Sequence, residues 1–261
     1  MGPQTSGTVP VLAPSSSPQS LAIIRRWLDK CLSEHTNCQN GNSALPSRLL
    51  DVGPADGSKE PRIVCQSNIG DQKARYLALS YCWGRTTKQS PWTLRTTNID
   101  RLSRGVPSNQ LPQTFQDVIK IMRALKERFV WIDALCIIQD SPDDWAQEAA
   151  SMARVYQNAL VTLISPAPDP EESLFSARNE FLTQPACLRL NSFSRTAVVR
   201  FHPVLPHWSY SSVPGTGWQE EPGLEAKLPT RKRAWCLQEY ELSCRTIMFT
   251  THQFAWVCRQ M

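Results

Sequence analysis

No stretch of this sequence reaches the roughly 18 consecutive apolar residues that a membrane-spanning helix requires. The longest apolar segment, from Phe129 to Ile138, is broken by Asp133. The N-terminal MGPQTSGTVPVLAPSSSPQS has neither a basic start nor a sustained apolar core, which argues against a secretory signal. Residues 1–20 read as a disordered Pro/Ser-rich leader, and the cytoplasm is the expected compartment. An even-numbered disulfide framework is also lacking. The nine cysteines are scattered through apolar contexts such as Cys82, Cys136, Cys236 and Cys258, as reduced core thiols would be. Histidine is scarce: His35, His202, His207 and His252 are the only four, and none stands in a recognisable Cys-His protease setting. Neither a P-loop nor a GxGxxG pattern occurs, so those phosphate cradles are excluded. Charge imbalance is small, at +5, and the one tight basic cluster is Arg231-Lys232-Arg233. Specific nucleic-acid binding is not expected from so little.

What is present suits a globular α/β protein. With 261 residues and 41% hydrophobic side chains, the chain can bury a sizeable core. Leu21, Ile24, Leu28 and Leu32 fall at helical spacing. Short strands are expected at Leu49-Leu50 and Ile63-Val64, and a buried strand within Arg75 to Trp83, punctuated by Gly84. Residues 85–110, polar and without periodicity, read as a long surface loop of the kind that carries function. Phe115, Val118, Ile119, Met122 and Leu125 predict a helix over about 114–127, with Thr114 and Asp117 in a capping arrangement.

Phe129 to Ile132 is a short strand ending at Asp133. Ser141-Pro142-Asp143-Asp144 is a strong helix start, followed by Trp145, Ala149, Met152, Ala153 and Tyr156 as the expected buried stripe. Leu160 to Ser165 is the next strand. The strand-helix alternation predicts one α/β domain over residues 21–261, with a central mostly parallel sheet flanked by helices. Its core blocks are 75–165 and 231–258, and residues 166–230 form a loop-rich insertion with a strand at 196–201. A helix over 233–242 and strands at 246–249 and 254–257 complete the elements.

Several residues carry both a structural and a chemical reading. Asp133 and Asp140 suit capping of loops or of the next helix through backbone N–H groups. Trp83, Trp131, Trp145 and Trp235 suit core anchoring, and Glu239 suits an ion pair with Arg233 or Arg245. Cys31, His35 and Cys38, in C-x3-H-x2-C spacing, offer soft metal donors. They lack a C-x-x-C knuckle and an evident fourth ligand, so no metal is expected there.

Three separated segments give the sequence a family likeness. Leu79-Ser80-Tyr81-Cys82-Trp83-Gly84, then Trp131-Ile132-Asp133-Ala134-Leu135-Cys136-Ile137-Ile138-Gln139-Asp140, then Arg233-Ala234-Trp235-Cys236-Leu237-Gln238-Glu239 resemble, in order, the motif blocks of the fungal heterokaryon-incompatibility (HET) domain. The likeness extends over about residues 25–258, taking in Trp27, Cys31, His35 and Cys38 as lead-in. It implies a cytoplasmic module of fungal non-self recognition and programmed cell death, with protein partners or self-association in a death-signalling assembly.

A more distant resemblance links the first block to the opening box of TIR domains, and Trp235-Cys236-Leu237-Gln238-Glu239 to the WCxxE segment of NAD-cleaving TIR domains. It implies a TIR-like, flavodoxin-like fold with Glu239 as catalytic carboxylate. Ser80, Trp83, Gly84, Asp133 and Trp235 would then line the nucleotide pocket. NAD enters as substrate, and no resident cofactor is implied. The alternative is a non-enzymatic interaction module that oligomerises and relays a death signal.

Overall fold

The computed structural model describes residues 15–39, 44–71, 74–85, 87–175, 186–192, 195–201, 239–250 and 254–260. Helix α1 (Pro18–Glu34) begins within the segment expected to be disordered, because Ser17 caps it by accepting from the Ser20 N–H at 3.1 Å and Pro18 fits its first turn. Strands β1 (Arg48–Asp51) and β2 (Arg62–Cys65) pair antiparallel, as the two short apolar pieces suggested. Strand β3 (Tyr76–Ser80) is buried at every position.

The segment after β3 is not a bare loop. It holds helix α2 (Ile99–Arg104) and buries Trp92, Leu94, Leu102 and Val106, whose irregular spacing hides them from a periodicity search. Helix α3 (Gln113–Leu125) follows. Its Thr114 and Asp117 do not form a capping box. Thr114 Oγ1 donates to the Glu172 carbonyl at 2.7 Å, while Asp117 accepts from Ser173 Oγ at 2.5 Å and from the Leu174 N–H at 3.0 Å, docking the 170–175 segment.

Strand β4 (Phe129–Trp131) runs into a one-turn helix, α4 (Asp133–Cys136). Helix α5 (Pro142–Asn158) starts as expected, with Ser141 accepting from the Asp144 N–H. Strand β5 (Thr162–Ile164) comes next. Inside the expected insertion, β6 (Ala186–Ser192) and β7 (Arg195–Phe201) make a separate antiparallel pair, of which only the second strand was foreseen. Residues 239–242 are helical, and β8 (Arg245–Phe249) and β9 (Phe254–Cys258) end the sheet.

The seven-stranded sheet has the order β2-β1-β4-β3-β5-β8-β9. Strands β4, β3, β5 and β8 are mutually parallel, whereas β1 and β9 run antiparallel to their neighbours at either side. The sheet is thus mostly parallel at its centre, as expected, with antiparallel margins. Alternation along β3 divides the core. Leu77 and Leu79 pack with Ile24 and Leu28 of α1 and with Phe115, Val118 and Met122 of α3. Tyr76 and Ala78 pack on the opposite face with Trp131 and with Val155 and Tyr156 of α5. Two tyrosines tie that face together: Tyr76 Oη donates to the Val155 carbonyl at 2.8 Å, and Tyr156 Oη donates to the Leu79 carbonyl at 3.2 Å.

The chain leaves β3 toward β4 but leaves β5 toward β8, so connections diverge on either side of the β3/β5 boundary. Divergence of this kind opens a crevice at the carboxyl ends of parallel strands. Among the described residues no helix is long and apolar enough to cross a membrane.

The β1 margin is held by charge. Asp51, 3% exposed, accepts from Arg128 Nε at 2.7 Å, from Arg128 Nη2 at 2.8 Å and from the Gly53 N–H at 3.0 Å, with Arg62 Nε at 3.5 Å. Burial opposes ionisation of Asp51, but the Arg128 and Gly53 hydrogen bonds outweigh it and hold the carboxyl below its ordinary 3.8. A depressed carboxyl contributes stability that is present above the unfolded-state value and lost as pH falls through the folded one. We therefore expect Asp51→Asn to lower urea-unfolding stability by about 1.5–3 kcal/mol at neutral pH. The gap to wild type should close in unfolding curves taken well below pH 3.8; a gap that stays constant would refute the assignment.

Candidate functional site

A cleft of about 540 Å³ lies at the carboxyl ends of β3 and β4, within the range of about 300–1,000 Å³ typical of small-molecule sites. Tyr81 and Trp83 enter it from the turn after β3, Lys88 and Arg95 from the segment that follows, and Asp133, Gln139 and Asp140 from beyond β4. Trp145, Ala149 and Met152 of α5 form one wall, and Glu239 completes the lining.

Each group is placed by a local bond. Trp83 Nε1 donates to Asp133 Oδ2 at 2.6 Å, and Asp133 Oδ1 accepts from the Ala134 N–H at 2.6 Å at the start of α4. Asp133 therefore lines the cleft as a clamp that fixes an indole. Asp140 accepts from the Thr96 N–H at 2.9 Å and from Thr96 Oγ1 at 2.8 Å, and these bonds hold its carboxyl below the ordinary value. The guanidinium of Arg95 reaches the Lys88 carbonyl, which ties the two cationic residues into one loop.

Helix α5 is set against the sheet by Arg48. Its Nε donates to the Cys136 carbonyl at 2.6 Å, and its Nη2 meets Asp144 at 2.6 Å and Glu148 at 3.4 Å. Glu148 is only 3% exposed; of the stripe that helical spacing predicted, Tyr156 is buried and Met152 packs against the core, while Trp145 is not inside. The buried side of α5 is Glu148, Val155 and Tyr156, whereas Trp145 is 53% exposed. The stripe at 145, 149 and 152 faces the cleft.

Glu239 is 8% exposed, and its backbone carbonyl accepts from Ser243 Oγ at 2.6 Å; that hydroxyl in turn pairs with Thr162 Oγ1 at 2.6 Å. The helix carrying Glu239 is thereby pinned to the beginning of β5. Of the two basic partners considered for Glu239, Arg233 lies outside the described residues and Arg245 points toward Cys31 and the Cys38 carbonyl.

Of the residues named from sequence, the fold brings Trp83, Asp133 and Glu239 into one cleft. Ser80 does not line it: the residue is 1% exposed in β3, and its Oγ has no hydrogen-bond partner among the described residues. Gly84 lies directly beneath a carboxylate, since a Cβ there would meet Asp169 Oδ2 at 2.1 Å. Trp235 lies outside the described residues. The loop after Gly84, expected to carry function, contributes Lys88 and Arg95, which were not singled out, and Tyr81, Gln139 and Met152 were missed as lining residues. Three aromatic side chains, two cations and three carboxylates line the cleft, and since Asp133 and Asp140 are engaged by local hydrogen bonds, Lys88 and Arg95 can meet an anionic group while Glu239 stabilises positive charge at a reacting carbon.

The Cys31, His35 and Cys38 trio seen in the sequence gains a member that the sequence did not reveal. Cys258, 223 residues beyond His35, brings its Sγ to 3.3 Å from His35 Nδ1 and so joins Cys31, His35 and Cys38. A fourth donor exists, and only the packing of α1 on the far margin of the sheet reveals it.

A doubly wound α/β domain with a carboxylate- and cation-lined cleft at its strand ends is the class that fold and site define. Residues 76–239 match the family model described as "Heterokaryon incompatibility protein (HET)", and the chain belongs to that family. It is similar to "Heterokaryon incompatibility protein 6, OR allele" of Neurospora crassa, with 26% identity over 142 residues. That match takes in 51% of this chain and 21% of the relative, so the chain spans about a fifth of the curated relative's length. No solved structure matches the chain significantly.

Gly84 is not among the residues that line the cleft, and its contact with Asp169 gives a direct check on the turn after β3. Gly84→Ala should destabilise the fold by about 0.5–1.5 kcal/mol, because the Asp169 carboxylate must swing aside and give up its hydrogen bond from the Glu171 N–H. Asp169→Ala in the same chain should restore most of that loss in a thermal-denaturation double-mutant cycle. Strict additivity of the two changes would count against the contact.

Proposed function

We propose that this chain acts in fungal heterokaryon incompatibility, as the name of its relative states for that protein, and that it does so by hydrolysing the nicotinamide glycosidic bond of NAD. The observation that carries the chemical part is the convergence of Glu239, Trp83 and the cations Lys88 and Arg95 on one cleft at the switch of a parallel sheet. The TIR-like reading of the Glu239 segment supports the same assignment.

In this mechanism the bond between ribose C1′ and the pyridinium nitrogen breaks, its electron pair goes to the nitrogen, and neutral nicotinamide leaves. The ribose is left with oxocarbenium character. The Glu239 carboxylate stabilises that charge from a largely desolvated position, where a fixed negative group is most effective. Water then adds to C1′ and gives up a proton. Lys88 and Arg95 hold the diphosphate, while Trp83, locked by Asp133, offers a flat face for a ring. Asp133 acts as a positioning residue, since both of its oxygens are already engaged.

The whole chain incubated with NAD should release nicotinamide, followed by liquid chromatography. Glu239→Gln should lower kcat by about 10²–10³, the loss typical of removing one group aimed at transition-state charge. Arg95→Ala should mainly raise KM. If the wild type releases no nicotinamide at any protein concentration, or Glu239→Gln turns over normally, the enzymatic reading fails. Persistent toxicity of Glu239→Gln in fungal cells would then favour a non-enzymatic relay.

A further inference from the structure

We propose that Cys31, His35, Cys38 and Cys258 form a closed structural zinc site that fastens the end of α1 to the margin strand β9. The four donor atoms all lie within 4.8 Å of one another. His35 Nδ1 stands 3.3 Å from Cys258 Sγ and 4.0 Å from Cys38 Sγ. Tetrahedral zinc, with Zn–S near 2.3 Å and Zn–N near 2.0–2.1 Å, holds such donors roughly 3.5–3.8 Å apart, so small side-chain rotations complete the geometry.

The backbone builds the loop for this purpose. Cys31 sits in the last turn of α1, His35 caps that helix by donating its N–H to the Cys31 carbonyl at 3.2 Å, and the Cys38 N–H bonds the His35 carbonyl at 3.3 Å. The three donors therefore curl around one point, and the turn is closed from β9 by Cys258 and by Gln260 Oε1, which accepts from the Asn37 N–H at 3.3 Å. Cys31, Cys38 and Cys258 are 1%, 0% and 5% exposed, as in a site with no open coordination position. Three thiolates and one imidazole in tetrahedral array select zinc over hard cations, which prefer oxygen ligands.

A second observation, independent of the donor distances, is Arg245. Its side chain is 2% exposed, and among the described residues no carboxylate lies within ion-pair distance of it. Instead Nε donates to Cys31 Sγ at 3.2 Å, Nη1 donates to the Leu160 carbonyl at 3.2 Å, and Nη2 meets the Cys38 carbonyl. A buried guanidinium without an anion is costly. Zinc bound by three thiolates carries a net charge of about −1, and it would place that anion against Arg245 through the Cys31 sulfur. A disulfide between two of the cysteines would supply no such charge and would leave His35 unused. Cys244 lies in the same cluster but directs its sulfur to the Cys38 carbonyl at 3.4 Å, which leaves it outside the donor set. The ligands flank residues 76–239 on both sides, so the ion would join the chain segments before and after the family core.

The whole chain from zinc-replete cells, purified without chelator, should carry about one zinc per chain by plasma mass spectrometry. C38S and C258S should retain less than about a tenth of that, and C244S should retain all of it. Since a misfolded variant would also lose metal, wild-type protein is stripped and reloaded with cobalt(II). Strong visible absorption of a tetrahedral thiolate–cobalt centre is expected, and chelation should lower the Tm of wild type but not of C258S. Wild type that holds no zinc and shows no thiolate–cobalt bands would overturn the proposal. So would an intact disulfide among Cys31, Cys38 and Cys258, or loss of metal from C244S as complete as from C258S.

Discussion

Burial of strand β3 on both faces is the constraint from which the rest of this structure follows. All five residues from Tyr76 to Ser80 are shielded from solvent, and a strand in that condition needs cover above and below. Helices α1 and α3 supply one cover, through Ile24, Leu28, Phe115 and Met122, and α5 supplies the other, through Val155 and Tyr156. To put helices on both sides, the chain must leave β3 and β5 in opposite directions. The crevice at the strand ends is the geometric consequence, and the turn at Tyr81 to Gly84 opens into it because β3 ends there.

Within the crevice, the acidic groups divide their roles by environment. Asp133 spends both oxygens on the Trp83 indole and the Ala134 N–H, and Asp140 spends its own on Thr96. These bonds rigidify the walls, which is what a preorganised site requires. Glu239 arrives on a different element, anchored through its backbone by Ser243 and Thr162, so its position is set by the sheet and not by the loops. Trp145 remains largely exposed on the opposite wall, an apolar surface that a ligand could cover.

The two margins of the sheet are secured by polar devices, whereas the centre is secured by apolar contact. On one side Asp51 gathers Arg128, Arg62 and the Gly53 N–H. On the other, Arg245 reaches the sulfur and carbonyl groups at the end of α1, while Trp27 packs edge-on against Phe254 with ring centroids 5.5 Å apart. Asp51 stands on β1 and Arg245 on β8, each one strand in from an edge strand, so these side-chain bonds fasten the outer antiparallel pair at either side to segments distant in the chain.

Much of the fold was legible in the residues themselves. Local signals such as Ser141-Pro142 before α5, or the apolar run that became β3, depend on neighbours in sequence, and the chain carries them wherever it folds. The three motif blocks likewise identified the family and pointed to Trp83, Asp133 and Glu239. Irregularly spaced burial was not legible, as at Trp92, Leu94 and Leu102, nor was the whole inner side of α5, where Tyr156 was foreseen but Glu148 was not, because an acidic residue gives no apolar signal for the face that meets the core. By itself, then, the sequence determined most of the core elements, the family, and that Trp83, Asp133 and Glu239 belong to its motif blocks. Only the tertiary structure decided that Lys88 and Arg95 share that cleft and that Cys258 meets Cys31, His35 and Cys38. Contacts between residues far apart in the chain are set by how helices and strands pack, and no local pattern encodes that distance.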